Sequence, residues 1–248
     1  MIEAVIWDFG GVFTSSPFEA FARYEREKGL PQGLIRKVNS INPLENAWAR
    51  FERAEIDLDG FDAAFAAETR ALGHDVPGKD VIPLLRGALR PEMVEALKRI
   101  KAAHYRTGCI TNNVPTLQTN TADPGAFYAG EIMALFDHAI ESSKAGIRKP
   151  DPRIYAMMCE ALDVAPADCV YLDDLGGNLK PARAMGMATI KVETGAQAIA
   201  ELERVLAMKL AAPGSRNKNW SCCVVGLLKV VWSGCRAMPP GARRGETR

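Results

Sequence analysis

The chain has 248 residues, 48% of them hydrophobic and 25% charged, with a formal net charge of +1. That composition can bury a sizeable core as one α/β domain with an insertion and excludes disorder over most of the length. The near-neutral balance gives no global electrostatic case for a nucleic acid or a membrane surface as partner.

Met1-Ile2-Glu3 lacks the basic region and long apolar stretch of a signal peptide, so a cytoplasmic location is expected. Ala4-Val5-Ile6-Trp7 is a short apolar run ending at Asp8, followed by Gly10-Gly11. It reads as a buried strand that delivers a carboxylate to a loop. Over 17–87 the pattern turns helical: Phe18, Phe21, Ala22 and Tyr24 recur at helix spacing, and so do Phe61, Ala64, Phe65 and Ala67. Arg23, Arg36, Arg50 and Arg53 lie in this stretch, and each could bind an anionic substrate or face solvent. Pro91 opens a further helix, with Lys98, Arg99 and Lys101 near its end, where the macrodipole favours cations.

Strands and helices then alternate. Thr107-Gly108-Cys109-Ile110 and His138-Ala139-Ile140 read as strands, 152–162 as a helix, and Cys169-Val170-Tyr171-Leu172 as a strand ending at Asp173-Asp174. A helix over 178–185, a strand over 188–192 and an amphipathic helix over 196–210 complete the pattern. Such alternation predicts a doubly wound, Rossmann-like parallel sheet covered by helices on both faces. Ligands of such sheets bind beyond the carboxyl ends of the strands. Asp8, Thr111-Asn112-Asn113 and Asp173-Asp174 all follow strands, so they should converge on one crevice. The expected division is a core of 1–15 and 89–212 with a helical cap of 16–88 between its parts.

From residue 213 onward seven Lys/Arg face one Glu, and no period is sustained, so 213–248 is expected to be a disordered or non-native tail. Its Cys222, Cys223 and Cys235 have neither a histidine nor a CxxC spacing, which speaks against zinc. The apolar run 221–232 contains Lys229 and is too short to span a bilayer. Cys109, Cys159 and Cys169 read as small, reduced core residues. His74, His104 and His138 pair with no recognisable nucleophile.

Ile110-Thr111-Asn112-Asn113, Arg148-Lys149-Pro150-Asp151-Pro152-Arg153-Ile154-Tyr155 and the run from Tyr171-Leu172-Asp173-Asp174 to Pro181-Ala182-Arg183 follow Asp8 in order. On these segments the chain resembles the haloacid dehalogenase-like hydrolases over roughly 1–212. Within them it is similar to the branch containing the N-terminal phosphatase domain of soluble epoxide hydrolase. The resemblance implies Asp8 as a nucleophile that forms an aspartyl-phosphate, and Mg2+ held by Asp8, Asp174 and the Gly10 carbonyl. It also implies Asp173 in support, Thr111 and Asn112 on the phosphoryl group, Lys149 close to Asp8, and a small phosphorylated molecule as substrate. The residue chemistry agrees. A carboxylate can attack phosphorus, a hard cation prefers oxygen ligands, and strand-end hydroxyl and N–H groups can stabilise developing charge. Lys144, in Ser142-Ser143-Lys144, competes with Lys149 for the lysine role, and the resemblance implies Lys149, whose Lys-Pro-Asp-Pro context matches the family.

One position departs from the pattern. Most phosphatases of this superfamily carry a second aspartate two residues beyond the nucleophile, as general acid and base; here it is Gly10. General acid–base help is worth about a hundred- to ten-thousand-fold. Three readings follow: a slow or selective phosphatase, a metal-independent dehalogenase whose halide needs no proton, and a non-catalytic binding module. The Asp173-Asp174 pair argues for a metal enzyme, and the phosphatase is the expected one.

Overall fold

The computed structural model describes residues 1–115 and 124–210. The tail 213–248, with its three cysteines and the 221–232 run, lies outside the described residues, as do the last two residues of the expected core.

Five parallel strands form one sheet in the order β3-β2-β1-β4-β5: β1 Ala4–Trp7, β2 Arg106–Thr111, β3 His138–Glu141, β4 Cys169–Asp173 and β5 Ala188–Lys191. Strand β1 lies at the centre, with Trp7 beside Cys109 of β2 and Leu172 of β4. Every residue of β1 is buried, and its faces serve different layers. Val5 and Trp7 pack with Met93, Leu97 and Leu202, whereas Ala4 and Ile6 pack with Ile154, Met158 and Leu179. A two-residue side-chain period between two helical layers produces this split, which is why the strand reads as an unbroken apolar run.

Helices α6 (Pro91–Ala102) and α11 (Gly195–Leu206) cover the first face, and α9 (Pro152–Leu162) and α10 (Gly176–Ala184) the second. Close approach of α9 requires Gly108. A Cβ there would sit 2.5 Å from Met158 Sδ, so any side chain would force Met158 to repack against the sheet. Helix α9 starts where its sequence says, with Pro152 in the first turn and Asp151 accepting from Arg153 N at 2.9 Å. Helix α11 ends at Leu206, four residues short of the periodic pattern, because Ala207 turns left-handed with φ 51°. Two further helices had no periodic signal: α7 (Pro124–Met133) and the single turn α8 (Ser142–Ala145).

Between β1 and α6 the chain forms helices α1 (Phe18–Glu27), α2 (Leu34–Ser40), α3 (Ala47–Glu52), α4 (Leu58–Arg70) and α5 (Gly78–Val81) around their own apolar cluster. Its centre is aromatic: Phe51 stacks on Phe61 at 4.7 Å and Trp48 meets the same ring edge-on at 5.2 Å. The chain leaves and returns through a paired stalk, Thr14 bridging Leu89, with Ser15 N donating to Ala88 O at 2.7 Å. No helix among the described residues is long and apolar enough to cross a membrane.

Candidate functional site

Strand order reverses direction across β1, so the carboxyl ends of β1, β2 and β4 face one crevice at the switch point of the sheet. Asp8 continues β1 by one residue, its N–H donating to Leu172 O at 2.8 Å. Asp8, Asp173 and Asp174 each offer one carboxylate oxygen, and these atoms lie within 4.8 Å of one another. Residues 165 positions apart in the chain are thus brought within reach of one cation.

The three carboxylates are held differently. Asp173 is fully buried and saturated: Oδ1 accepts from Leu175 N and Asn178 Nδ2, and Oδ2 accepts from Lys149 Nζ, Tyr171 Oη and Asn178 Nδ2. Asp8 is 7% exposed. Its Oδ1 takes Lys149 Nζ at 2.8 Å and the Phe9 N–H at 2.6 Å, while its Oδ2 has no protein partner among the described residues. Asp174 is half-buried and turns the other way, against Gly11. A Cβ on Gly11 would lie 2.2 Å from Asp174 Oδ2, and the residue has φ +74°, so this position admits only glycine. Gly10 differs: its backbone favours no glycine, and a Cβ built there meets nothing within 4 Å.

Charge in the cluster is unbalanced, since three carboxylates face one ammonium. Burial, opposed by Lys149 and reinforced by Asp173, pushes the Asp8 carboxyl up to about 8. Burial and Asp173 likewise push Asp174 up to about 6. Burial works against the Lys149 ammonium, but Asp173 and Asp8 outweigh it and hold the group above the ordinary lysine range. Two carboxyls that resist ionisation, one with an open oxygen, form an all-oxygen donor set short of positive charge. Such a set fits a hard divalent cation.

Lys149 is 1% exposed, and its backbone is clamped. Its N–H donates to Asn112 Oδ1 at 2.9 Å and its carbonyl accepts from Asn112 Nδ2 at 3.0 Å. The Asn112 side chain therefore serves the lysine segment, leaving its backbone and Thr111 at the crevice. Lys144 is exposed and pairs with Glu141, away from the carboxylates. A second layer reaches into the insertion. Glu52 accepts from Trp48 Nε1 at 2.8 Å and from Arg148 Nε at 2.6 Å, and its carbonyl accepts from Ser142 Oγ at 2.7 Å. Asn113 joins in, its N–H donating to Ser142 Oγ. Helix α3 is thereby tied to the residue beside Lys149.

Sequence reasoning missed Tyr171, Asn178, Glu52 and the brace role of Asn112. Tyr171 had a usable signal, because two residues before Asp173 on a strand is the same face. Glu52 had none.

Fold and site together define a doubly wound α/β protein with strand-end carboxylates arranged for a hard cation. The chain belongs to the haloacid dehalogenase-like hydrolases, a family that matches residues 2–186. It is 32% identical over 220 residues to acyl-CoA dehydrogenase family member 10 of Mus musculus, covering 86% of this chain and 20% of that protein. It is 41% identical over 216 residues to bifunctional epoxide hydrolase 2 of Rattus norvegicus, covering 82% and 39%. The chain thus spans a fifth to two fifths of the length of these two relatives. Phosphatase MT3486 of Mycobacterium tuberculosis is 28% identical over 202 residues, covering 79% and 89%. A HAD-like family hydrolase from Porphyromonas gingivalis shares the fold, with TM-score 0.59 at 20% identity over 84% of this chain and all of that one.

Proposed function

We propose that this protein is a magnesium-dependent phosphatase that acts on a small phosphorylated molecule through an aspartyl-phosphate on Asp8. The observation that carries the reading is the state of Asp8. One oxygen is pinned by Lys149 and the Phe9 N–H, and the other has no protein partner among the described residues. Pinning one oxygen orients the carboxylate, so the open oxygen is poised to attack without further reorganisation.

In the first step the open oxygen forms a bond to phosphorus, and the bond to the leaving oxygen breaks with its electron pair. In the second, water attacks the same phosphorus and the carboxylate departs, releasing phosphate. Magnesium, which Asp8, Asp174 and the Gly10 carbonyl would hold, supplies charge neutralisation among the carboxylate and phosphoryl oxygens. Lys149 keeps Asp8 and Asp173 from repelling each other, and Asp173 holds Lys149 in place. Thr111 and the Asn112 backbone offer donors to the phosphoryl oxygens. The helical insertion acts as a cap that excludes water.

At position 10 no side chain can give the leaving oxygen its proton, so the proposed reaction relies on water, on a residue of the helical insertion or on a leaving group that departs unaided. Rate should therefore depend steeply on leaving-group pKa, with aryl phosphates turned over far faster than alkyl phosphates. A phosphate-ester series assayed with and without Mg2+, beside Asp8→Asn, tests this. A flat dependence, or turnover that survives Asp8→Asn, overturns it. The phosphatase and epoxide hydrolase 2 relatives support the class.

A further inference from the structure

A cleft adjoins the carboxylate cluster at Asp174 and Gly11. This cleft of about 490 Å³ runs from Gly11 and Asp174 between the end of β5 and the first two cap helices; Phe18, Arg36, Arg90, Leu175 and Lys191 line it. Its volume is in the range of small-ligand sites, about 300–1,000 Å³. Its charges are unevenly matched. Lys191 is answered by Glu193 at 3.1 Å, and Asp174 belongs to the carboxylate cluster. Arg36 and Arg90 have no carboxylate partner among the described residues.

Both arginines are nonetheless held in place. The Arg36 guanidinium lies over the Phe18 ring, 4.4 Å from its centroid. That contact restrains the exposed Arg36 side chain, and its N–H groups have no hydrogen-bond partner among the described residues, so they can grip an oxyanion. Arg90 spends one N–H on Gly11 O at 2.8 Å, which ties it to the loop after Asp8. Helix α10 begins at this cleft with Gly176 and Gly177, neither of which would bring a Cβ within 4 Å of anything. The other three arginines of the cap left open by sequence go elsewhere: Arg50 and Arg53 pair with Glu55, and Arg23 is exposed outside the cleft.

We propose that this cleft binds a second oxyanion, a carboxylate or phosphate, carried at the far end of the phosphate ester. Arg36 and Arg90 would be its ligands, with Phe18 and Leu175 flanking the short apolar link. The substrate class is then a small phosphorylated acid or a bisphosphate. The inference rests on the phosphatase reading of Asp8, and the test separates the two.

Steady-state hydrolysis with Mg2+ is compared for n-butyl phosphate, 4-phosphonooxybutanoate and butane-1,4-diyl bisphosphate. Beside it, binding of 5-phosphonopentanoate and pentylphosphonate to the Asp8→Asn protein with Mg2+ is measured by calorimetry, which needs no turnover. Both anion-bearing esters should exceed butyl phosphate in kcat/KM at least tenfold, and the carboxylated phosphonate should bind at least tenfold more tightly than the neutral one. Arg36→Ala should reduce both ratios to twofold or less and Arg36→Lys should keep part of them, whereas Arg23→Ala should leave them unchanged. If one anion-bearing ester is favoured and the other is not, the cleft is specific for that oxyanion. Equal binding of the two phosphonates with no preference for the bisphosphate ester over butyl phosphate, or ratios that survive Arg36→Ala, overturns the inference. Preferential binding without any Asp8-dependent turnover overturns the phosphatase reading and leaves the oxyanion site standing.

Discussion

On the Lys149 flank of Asp8 the named polar groups bond within the protein, whereas on the Asp174 flank part of the positive charge has no carboxylate partner among the described residues. Asp173 accepts from four residues, Asn112 grips both backbone groups of Lys149, and Glu52 carries the network into helix α3. Across the crevice Asp174 is half-buried with a raised pKa, and Arg36 and Arg90 have no carboxylate partner among the described residues. The difference separates two jobs. A saturated, buried flank holds geometry, because moving any member would strand another polar group at a cost of about 1–3 kcal/mol. An undersaturated flank binds, because a ligand finds donors and acceptors already oriented.

The division can be broken from the centre outward. Asp8→Asn removes the one group both flanks serve and should reduce phosphate release at least about a thousandfold, judged from nucleophile removals in other enzymes. A smaller loss would place the chemistry elsewhere. Lys149→Met leaves Asp8 and Asp173 facing each other without a cation. Urea unfolding without divalent ions should give a loss of about 3–5 kcal/mol, and a loss under 1 kcal/mol would deny that this flank is locked. Gly10→Asp sharpens the contrast in the opposite direction. A Cβ at position 10 meets nothing within 4 Å, so the variant should fold and accelerate alkyl ester hydrolysis about a hundredfold or more, with little gain for aryl esters.

Glu52→Ala strips Arg148 and Trp48 of their shared acceptor and should cost about 1–3 kcal/mol. Combined with Arg148→Ala the losses should not add, since both act through one pair; additive losses would dissolve the proposed link between cap and lysine.

A pH trend reads the same contrast without a substitution. The carboxyls of Asp8, raised from 3.8 to about 8, and of Asp174, raised to about 6, hold protons in the folded state that the unfolded chain has released. Their contribution is therefore complete below about pH 4 and declines as pH rises towards 8. Melting temperature in EDTA should follow that decline, and Mg2+ should offset it most at the alkaline end. A melting temperature that climbs over this range, or ignores Mg2+, would count against a cation at these carboxylates.

Strand positions and the three carboxylates were legible in the chain alone. A buried parallel strand must be apolar on both faces, so the first polar residue after each run marks its carboxyl end, as at Asp8 and Asp173. The context around Lys149 likewise singled it out from Lys144. Other features were not legible. That the Asn112 side chain braces Lys149, that Glu52 spans 96 positions to reach Arg148, and that Arg36 alone among four arginines of the helical insertion faces a cleft beside Asp174 all depend on distant segments meeting. Local sequence sets which groups stand at strand ends, because backbone periodicity is a local property. Which group answers which charge is decided only when the sheet order and the cap helices bring those ends together, because pairing depends on distances across the fold.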